Sequence, residues 1–256
     1  MRRIFEAVYQ VFFDKKWGIL IKMESESLMF SGLEIPGDYL WKKEVINMAK
    51  RPAWSVQDDV VICENFDFMW SGGFSITQKQ KNIRALHQSI YEMKHEKALE
   101  VSSKSEVRVG KEIGAFSLEL DGIFLENVFQ AAKQYENGGP YLDLLNVSPK
   151  QAKRDERHCN SGKLVGFVRN DEIWTLEPKT AFYDYIYISA LIKNFGYDLN
   201  ISEYQWFTDI EFNPQKSINC QARAVAIYVA LQKTALFNSL KSKDSWITFH
   251  ERHVKG

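Results

Sequence analysis

Residues 172–199, EIWTLEPKTAFYDYIYISALIKNFGYDL, constrain the fold more than any other stretch of the chain. Between Pro178 and the closing Gly196 runs a strongly apolar, tyrosine-rich helix with little polar surface to turn toward water. Such a helix is stable only when other elements cover it, so it is expected as the central core element of a packed domain. The remainder can supply that cover: of 256 residues, 45% are apolar and 14% aromatic, ample for a globular core.

Around this centre the sequence alternates short strand and helix signals. From Met48 to Ser75 it reads as short strands and turns, with Val60–Cys63 as a buried strand and Gly72-Gly73 as a loop. A helix follows from about Thr77 to Lys97, with Ile83, Leu86, Ile90 and Tyr91 inward and Lys79, Lys81, Arg84 and Lys94 outward, either a solvated face or a phosphate-contacting one. A strand at Leu99–Val101 runs into the Ser102–Ser105 loop, and another at Ala115–Leu120 ends at an Asp121-Gly122 turn. Ser148 is a good N-cap with Pro149 at the first helical position, and the charges from Lys150 to Arg157 are expected to face water. A last long helix is expected from about Ile218 to Leu240.

The pattern predicts an α+β fold, predominantly helical with a few short strands. Residues 1–47 read as an N-terminal extension of unknown role and residues 48–256 as one main domain. The first segment begins with two arginines and an apolar run, but Glu6 interrupts the run and Asp14, Lys15 and Lys16 end it, so neither a signal peptide nor a membrane span is expected.

Charge and motifs remove several functions. Lysine plus arginine balance aspartate plus glutamate, 33 against 33, so any nucleic-acid contact must be local. Cys63, Cys159 and Cys220 are odd in number and far apart, which argues against a disulfide framework or a zinc site and points to a reducing cytoplasm. The five histidines are scattered, and G-x-G-x-x-G, G-x-S-x-G and H-E-x-x-H patterns are all missing, so dinucleotide redox, serine hydrolysis and zinc chemistry lose weight. Carboxylate and lysine chemistry survives, and neither a cofactor nor a metal is expected.

The segment LENVFQAAKQYENGG, residues 125–139, carries that chemistry. Read as one helix, it places Leu125, Val128, Phe129 and Ala132 on an apolar stripe and Glu126, Gln130 and Lys133 on a polar one. A solvated helix face is the plain account of such a stripe, although side chains seven residues apart do not pair directly, and a functional stripe stands beside it. Two more stretches offer candidate contacts. Ser102 and Ser103 could cradle a phosphate. In SEYQWFTDIEFNPQKSINCQAR, Trp206, Asp209, Asn213, Asn219 and Arg223 gather before a helix start, where an anion could sit; capping and an internal ion pair explain the same residues without function.

These residues carry a resemblance. AFSLELDGIFLENVFQAAKQ resembles the signature of the NADAR family, a strand, a D-G turn and a helix of the form E-x-x-x-Q-x-x-K. MAKRPAW, GGFSITQKQKNIRALH, LENVFQAAKQYENGGPYLDLL, LEPKTAFYDYIYISAL and FTDIEFNPQKSINCQARAVA resemble, in order, its branch that serves as antitoxin beside DarT-type DNA ADP-ribosyltransferase toxins. The similarity covers about residues 48 to 240. It departs at Gly114-Ala115-Phe116, where many members have Ser-Asn-Phe, and at WFTDIEFNP, where they have a W-G-x-G loop.

The resemblance implies a YbiA-like single domain and an N-glycosidase that removes ADP-ribose from guanine bases in DNA. Its partners would be ADP-ribosylated DNA and, as a candidate, the cognate toxin, in the cytoplasm and without a membrane. Glu126, Lys133 and Asp209 would be catalytic, with Glu126 moving protons and Lys133 either a proton source or, if its pKa is depressed by burial against Phe129, a Schiff-base nucleophile. Asp209 would be the second carboxylate. Gln130 would orient substrate, and Trp206 or Trp174 could stack on the base, with a place in the core as the other and plainer use of each indole. Two other readings stand beside this one: an N-glycosidase of a small ribosylamino metabolite, and a non-catalytic module that binds ADP-ribose or the toxin.

Overall fold

The computed structural model describes residues 9–14, 18–23 and 47–254. The first two stretches form an antiparallel hairpin of β1 (Tyr9–Asp14) and β2 (Gly18–Met23). The turn expected at Gly32, Pro36 and Gly37 lies outside the described residues.

Met48 to Met69, expected as short strands, is one long hairpin of β3 (Met48–Gln57) and β4 (Val60–Met69). Its turn is made by Asp58 and Asp59, both with positive φ (48° and 61°), the backbone that a tight two-residue hairpin requires. Pro52 and the interspersed charges disguise the alternation that buries Phe66 and Phe68 on one face, with Val61 buried on the other. The expectation of only short strands is corrected accordingly, while the mixed helix-and-sheet class holds.

β3 and β4 belong to a four-stranded sheet of order β4-β3-β11-β5. β11 (Trp206–Thr208) runs antiparallel to β3 and parallel to β5 (Ala98–Glu100). Helix α1 (Ile76–Lys94), capped by Ser75, lays Ile83, Leu86 and Ile90 on this sheet. Its outer basic residues are mostly paired: Lys79 with Glu211 at 3.1 Å, Arg84 with Glu106 at 2.6 Å and Lys94 with Glu64 at 2.7 Å. Those pairs favour the solvated-face account of the helix over phosphate contact.

After α2 (Arg108–Glu112), the hairpin of β6 (Glu119–Leu120) and β7 (Ile123–Phe124) turns at Asp121-Gly122. It feeds α3 (Leu125–Ala131) and β8 (Lys133–Tyr135). The short helices α4 (Pro149–Lys153) and α5 (Arg157–Asn160) precede β9 (Leu164–Arg169) and β10 (Glu172–Trp174), and β10-β9-β8 forms a second, antiparallel sheet.

The central helix is α6 (Ala181–Phe195), in which Ile186, Tyr187, Ile188, Ala190 and Leu191 have no accessible surface. α7 (Gln221–Thr234) packs against it and α8 (Lys243–His253) closes one end. α7 is shorter than the expected Ile218–Leu240. One buried carboxylate ties the three helices together: Asp184 of α6 accepts from Arg223 of α7 at 3.2 Å and from Thr180 at 2.8 Å, and lies 3.0 Å from His250 of α8. Burial alone would push the Asp184 pKa up, but the Arg223 and His250 charges and hydrogen bonds outweigh it and leave the pKa lowered.

No helix among the described residues is long and apolar enough to cross a membrane.

Candidate active site around Lys133

The site begins with how α3 starts and stops. The Asp121-Gly122 turn folds the chain back so that the Leu125 N–H donates to the Leu118 carbonyl at 2.9 Å, and every residue of α3 is buried. The helix then ends sooner than its composition suggests. The Ala132 carbonyl accepts from the Val168 N–H at 2.7 Å, and Lys133–Tyr135 pairs with β9.

Lys133 is therefore the first residue of a strand, which corrects the expectation of one continuous helical stripe. Backbone pairing with β9 overrides the helix propensity of the Ala-Ala-Lys run. Gly139 makes this possible: at φ 88° it passes so close that a Cβ would run into the Lys133 carbonyl. Gly139→Ala is expected to cost about 2 kcal/mol or more through backbone strain, and a urea titration reads it directly.

Two of the three stripe residues remain partners. Glu126, 6% exposed, accepts from the Gln130 amide nitrogen at 2.8 Å. The other amide atom, Gln130 Oε1, is buried with no hydrogen-bond partner. Beside them the Lys133 Nζ lies 5.1 Å from the centre of the Phe129 ring, which itself packs against Phe167, Phe182 and Tyr183. Burial in this aromatic wall pushes the Lys133 pKa down to about 8; the Glu126 charge works upward and that of Lys153 downward.

Three residues that the sequence did not single out complete the surroundings. Lys153, expected to face water, brings its Nζ to 3.8 Å from Glu126 Oε1 and 5.1 Å from the Phe116 ring centre. His158 Nε2 is 2.9 Å from the Ala152 carbonyl, and Nδ1 is 2.9 Å from the Tyr135 hydroxyl. A carbonyl only accepts, so Nε2 carries the proton and Nδ1 accepts from Tyr135, a neutral tautomer consistent with a pKa lowered by burial and by the Lys133 charge. Only a chain already folded places these groups together, since α4 and α5 lie some twenty to thirty residues beyond α3.

The other expected site residues fall elsewhere. Asp209 is buried, with Oδ2 accepting from Gln221 at 2.9 Å and Oδ1 from the Glu211 N–H at 3.0 Å. Its close electrostatic partner is Glu100, not Lys133. The Glu100 carboxylate accepts from Ser102 and Thr208, both at 2.7 Å, and from the Ile210 N–H at 2.9 Å. Burial and the Asp209 charge raise the Glu100 pKa strongly, and burial raises that of Asp209.

Ser102 is not a phosphate cradle, because its hydroxyl is buried against Glu100; Ser103 is exposed beside Lys104 at 2.9 Å. Trp206 and Trp174 are not stacking platforms. Each is 2% exposed, Trp206 meets Phe66 edge-on and donates to Glu96 at 2.6 Å, and Trp174 packs on Phe182 and Tyr185. Arg223 is engaged by Asp184 inside the protein. Asn213 accepts from the Gln215 N–H at 2.9 Å within its own loop, and the Asn219 carbonyl accepts from Ser217 at 3.1 Å.

An amine lodged in an aromatic wall beside a carboxylate and an open amide oxygen, on a mixed helix-and-sheet domain, belongs here to a NADAR protein, a class whose members are generally N-glycosidases. The model of DarT1-associated NADAR antitoxins matches residues 49–255, and the chain belongs to that family. No curated protein matches the chain in sequence.

Proposed function

We propose that this antitoxin is an N-glycosidase that releases ADP-ribose from guanine bases of DNA, in the cytoplasm and in opposition to a cognate DNA ADP-ribosyltransferase. The observation that carries the reading is the amine of Lys133, with a pKa of about 8, beside the buried Glu126. An amine with an ordinary lysine pKa is almost wholly protonated near neutrality and cannot attack carbon. Lowered to about 8, a useful fraction is free base at physiological pH.

Cleavage then runs through the opened ribose. Ring opening breaks the bond between the anomeric carbon and the ring oxygen, which takes up a solvent proton, and turns that carbon into an iminium bonded to the guanine amino nitrogen. The Lys133 Nζ attacks this carbon and gives up a proton to Glu126, and the same proton goes to the guanine nitrogen as the carbon–nitrogen bond breaks. The Schiff base left on Lys133 is hydrolysed by water, which restores the amine and frees ADP-ribose with its ribose able to close again. Gln130 Oε1, the unpartnered buried acceptor, receives a sugar hydroxyl and fixes the ribose. Asp209 takes no proton in this scheme; its carboxylate is held by Gln221 and the Glu211 N–H.

The test is incubation of the purified full chain with an oligonucleotide carrying ADP-ribose on guanine, with both products followed by mass spectrometry. Release of ADP-ribose and unmodified DNA is expected, and Glu126→Gln should lower the rate about 100-fold or more through loss of proton transfer. The rate should also rise with pH and level off above about 8, as Lys133 loses its proton; a rate that falls over that range would exclude the neutral amine as nucleophile. Binding of free ADP-ribose without release from DNA would instead mark a sequestering module.

A further inference from the structure

We propose that Lys153 is a positioning residue that raises the share of Lys133 in its uncharged, attacking form. The proposal rests on the hydrolase reading above for its purpose, but not for its test.

The argument starts from a mismatch of charges: one carboxylate, Glu126, faces two amines. Lys153 Nζ is 3.8 Å from Glu126 Oε1 with more than half of its side chain exposed, whereas the Glu126 side chain is 7% exposed. The head group in solvent holds its proton at little cost, and the one in the aromatic wall does so only against desolvation. When Lys153 pairs with Glu126, the carboxylate charge that favours an ammonium at Lys133 is shared between two amines, and Lys133 gains a like charge nearby. Both effects drive its proton off.

The fold places Lys153 with care. Asn127, the residue after Glu126, sends its amide to the carbonyls of Leu144 at 2.6 Å and Val147 at 2.7 Å, which fixes where α4 begins relative to α3. Ser148 and Gln151 close a capping box over Pro149, a device that sharply defines a helix start. Ala152 is fully buried, with its carbonyl held by His158. Lys153 is thus the end of a short, doubly anchored helix, and its Nζ lies over the Phe116 ring.

The charged and titratable groups facing Lys133 are Glu126 of α3, Lys153 of α4, and His158 and Cys159 of α5. His158 is held neutral by its two hydrogen bonds, so Lys153 is the cation among them that opposes protonation of Lys133.

The experiment titrates the lysine 13Cε signals of the full-length protein, with the Lys133 resonance identified by its disappearance in Lys133→Arg. In the wild type it should titrate near 8. In Lys153→Met the midpoint should rise by roughly half to one unit, which leaves about three- to tenfold less neutral amine near neutrality. Lys153→Arg, which keeps the charge, should titrate like the wild type, and added salt should shrink the difference because Lys153 is exposed. The kcat/KM profile of Lys153→Met should move to higher pH by the same amount.

An unmoved Lys133 midpoint in Lys153→Met overturns the proposal. If KM alone rises with that midpoint fixed, Lys153 is a contact for the substrate's phosphates instead. If the midpoint moves as expected while even the wild type releases no ADP-ribose, the positioning role stands and the hydrolase reading falls.

Discussion

Lys133→Met should abolish release of ADP-ribose, by about 1,000-fold or more, and still fold more stably than the wild type. The sign follows from linkage. The fold lowers the Lys133 pKa from 10.5 to about 8, so the unfolded chain binds more protons between those values and stability rises with pH across that window. Below about pH 8 the native protein must carry a charged amine in an aromatic wall. Taken at face value, a shift of that size is worth about 3 kcal/mol; solvent screening of a partly exposed group reduces it to about 1 kcal/mol. Methionine fills much the same volume without the charge. Denaturant titration at neutral pH should therefore show a gain, and one that vanishes near pH 10.5. A variant that keeps its turnover removes Lys133 from the chemistry, and one that loses several kcal/mol makes it a structural residue.

Arg223→Met should do the opposite: lower stability by about 3–5 kcal/mol with little change in activity per folded molecule. Asp184 has no accessible surface and carries its charge between Arg223 and His250, so removing the guanidinium leaves a buried carboxylate half-paired. The loss would be a large part of the 5–15 kcal/mol typical of a domain. Because the Asp184 pKa is lowered in the fold, the pair stabilises above the ordinary carboxylate range and that contribution disappears as pH falls through it. Thermal melts against pH, with KM measured below the transition, separate the outcomes. A raised KM with an unchanged melt would return Arg223 to the substrate.

That contrast shows how unevenly the sequence exposes its chemistry. The apolar tract around Tyr187 could only be a covered helix, and the Asp121-Gly122 turn announced the start of α3. Both are local signals, and the structure realises both. Lys133 was legible as a residue of interest but not as a strand residue, since the pairing that ends α3 comes from β9, more than thirty positions on. Ser102, Trp206 and Arg223 looked like surface contacts because their partners Glu100, Phe66 and Asp184 are set by tertiary packing. Lys153 failed in the other direction. In a run of charges from Lys150 to Arg157 it resembled any solvated lysine, and only tertiary contacts, those of Asn127 and His158, bring it to Glu126.

The central claim is covalent catalysis by Lys133, and reductive trapping tests it most directly. ADP-ribosylated oligonucleotide is mixed with the full-length protein in the presence of borohydride, and the protein is then digested and sequenced by mass spectrometry. The account predicts a reduced secondary amine joining ADP-ribose to the Lys133 peptide, formed faster as the pH approaches 8 and absent in Lys133→Met. Full release of ADP-ribose with no adduct at Lys133 would contradict it, and would leave Glu126 to act with water alone.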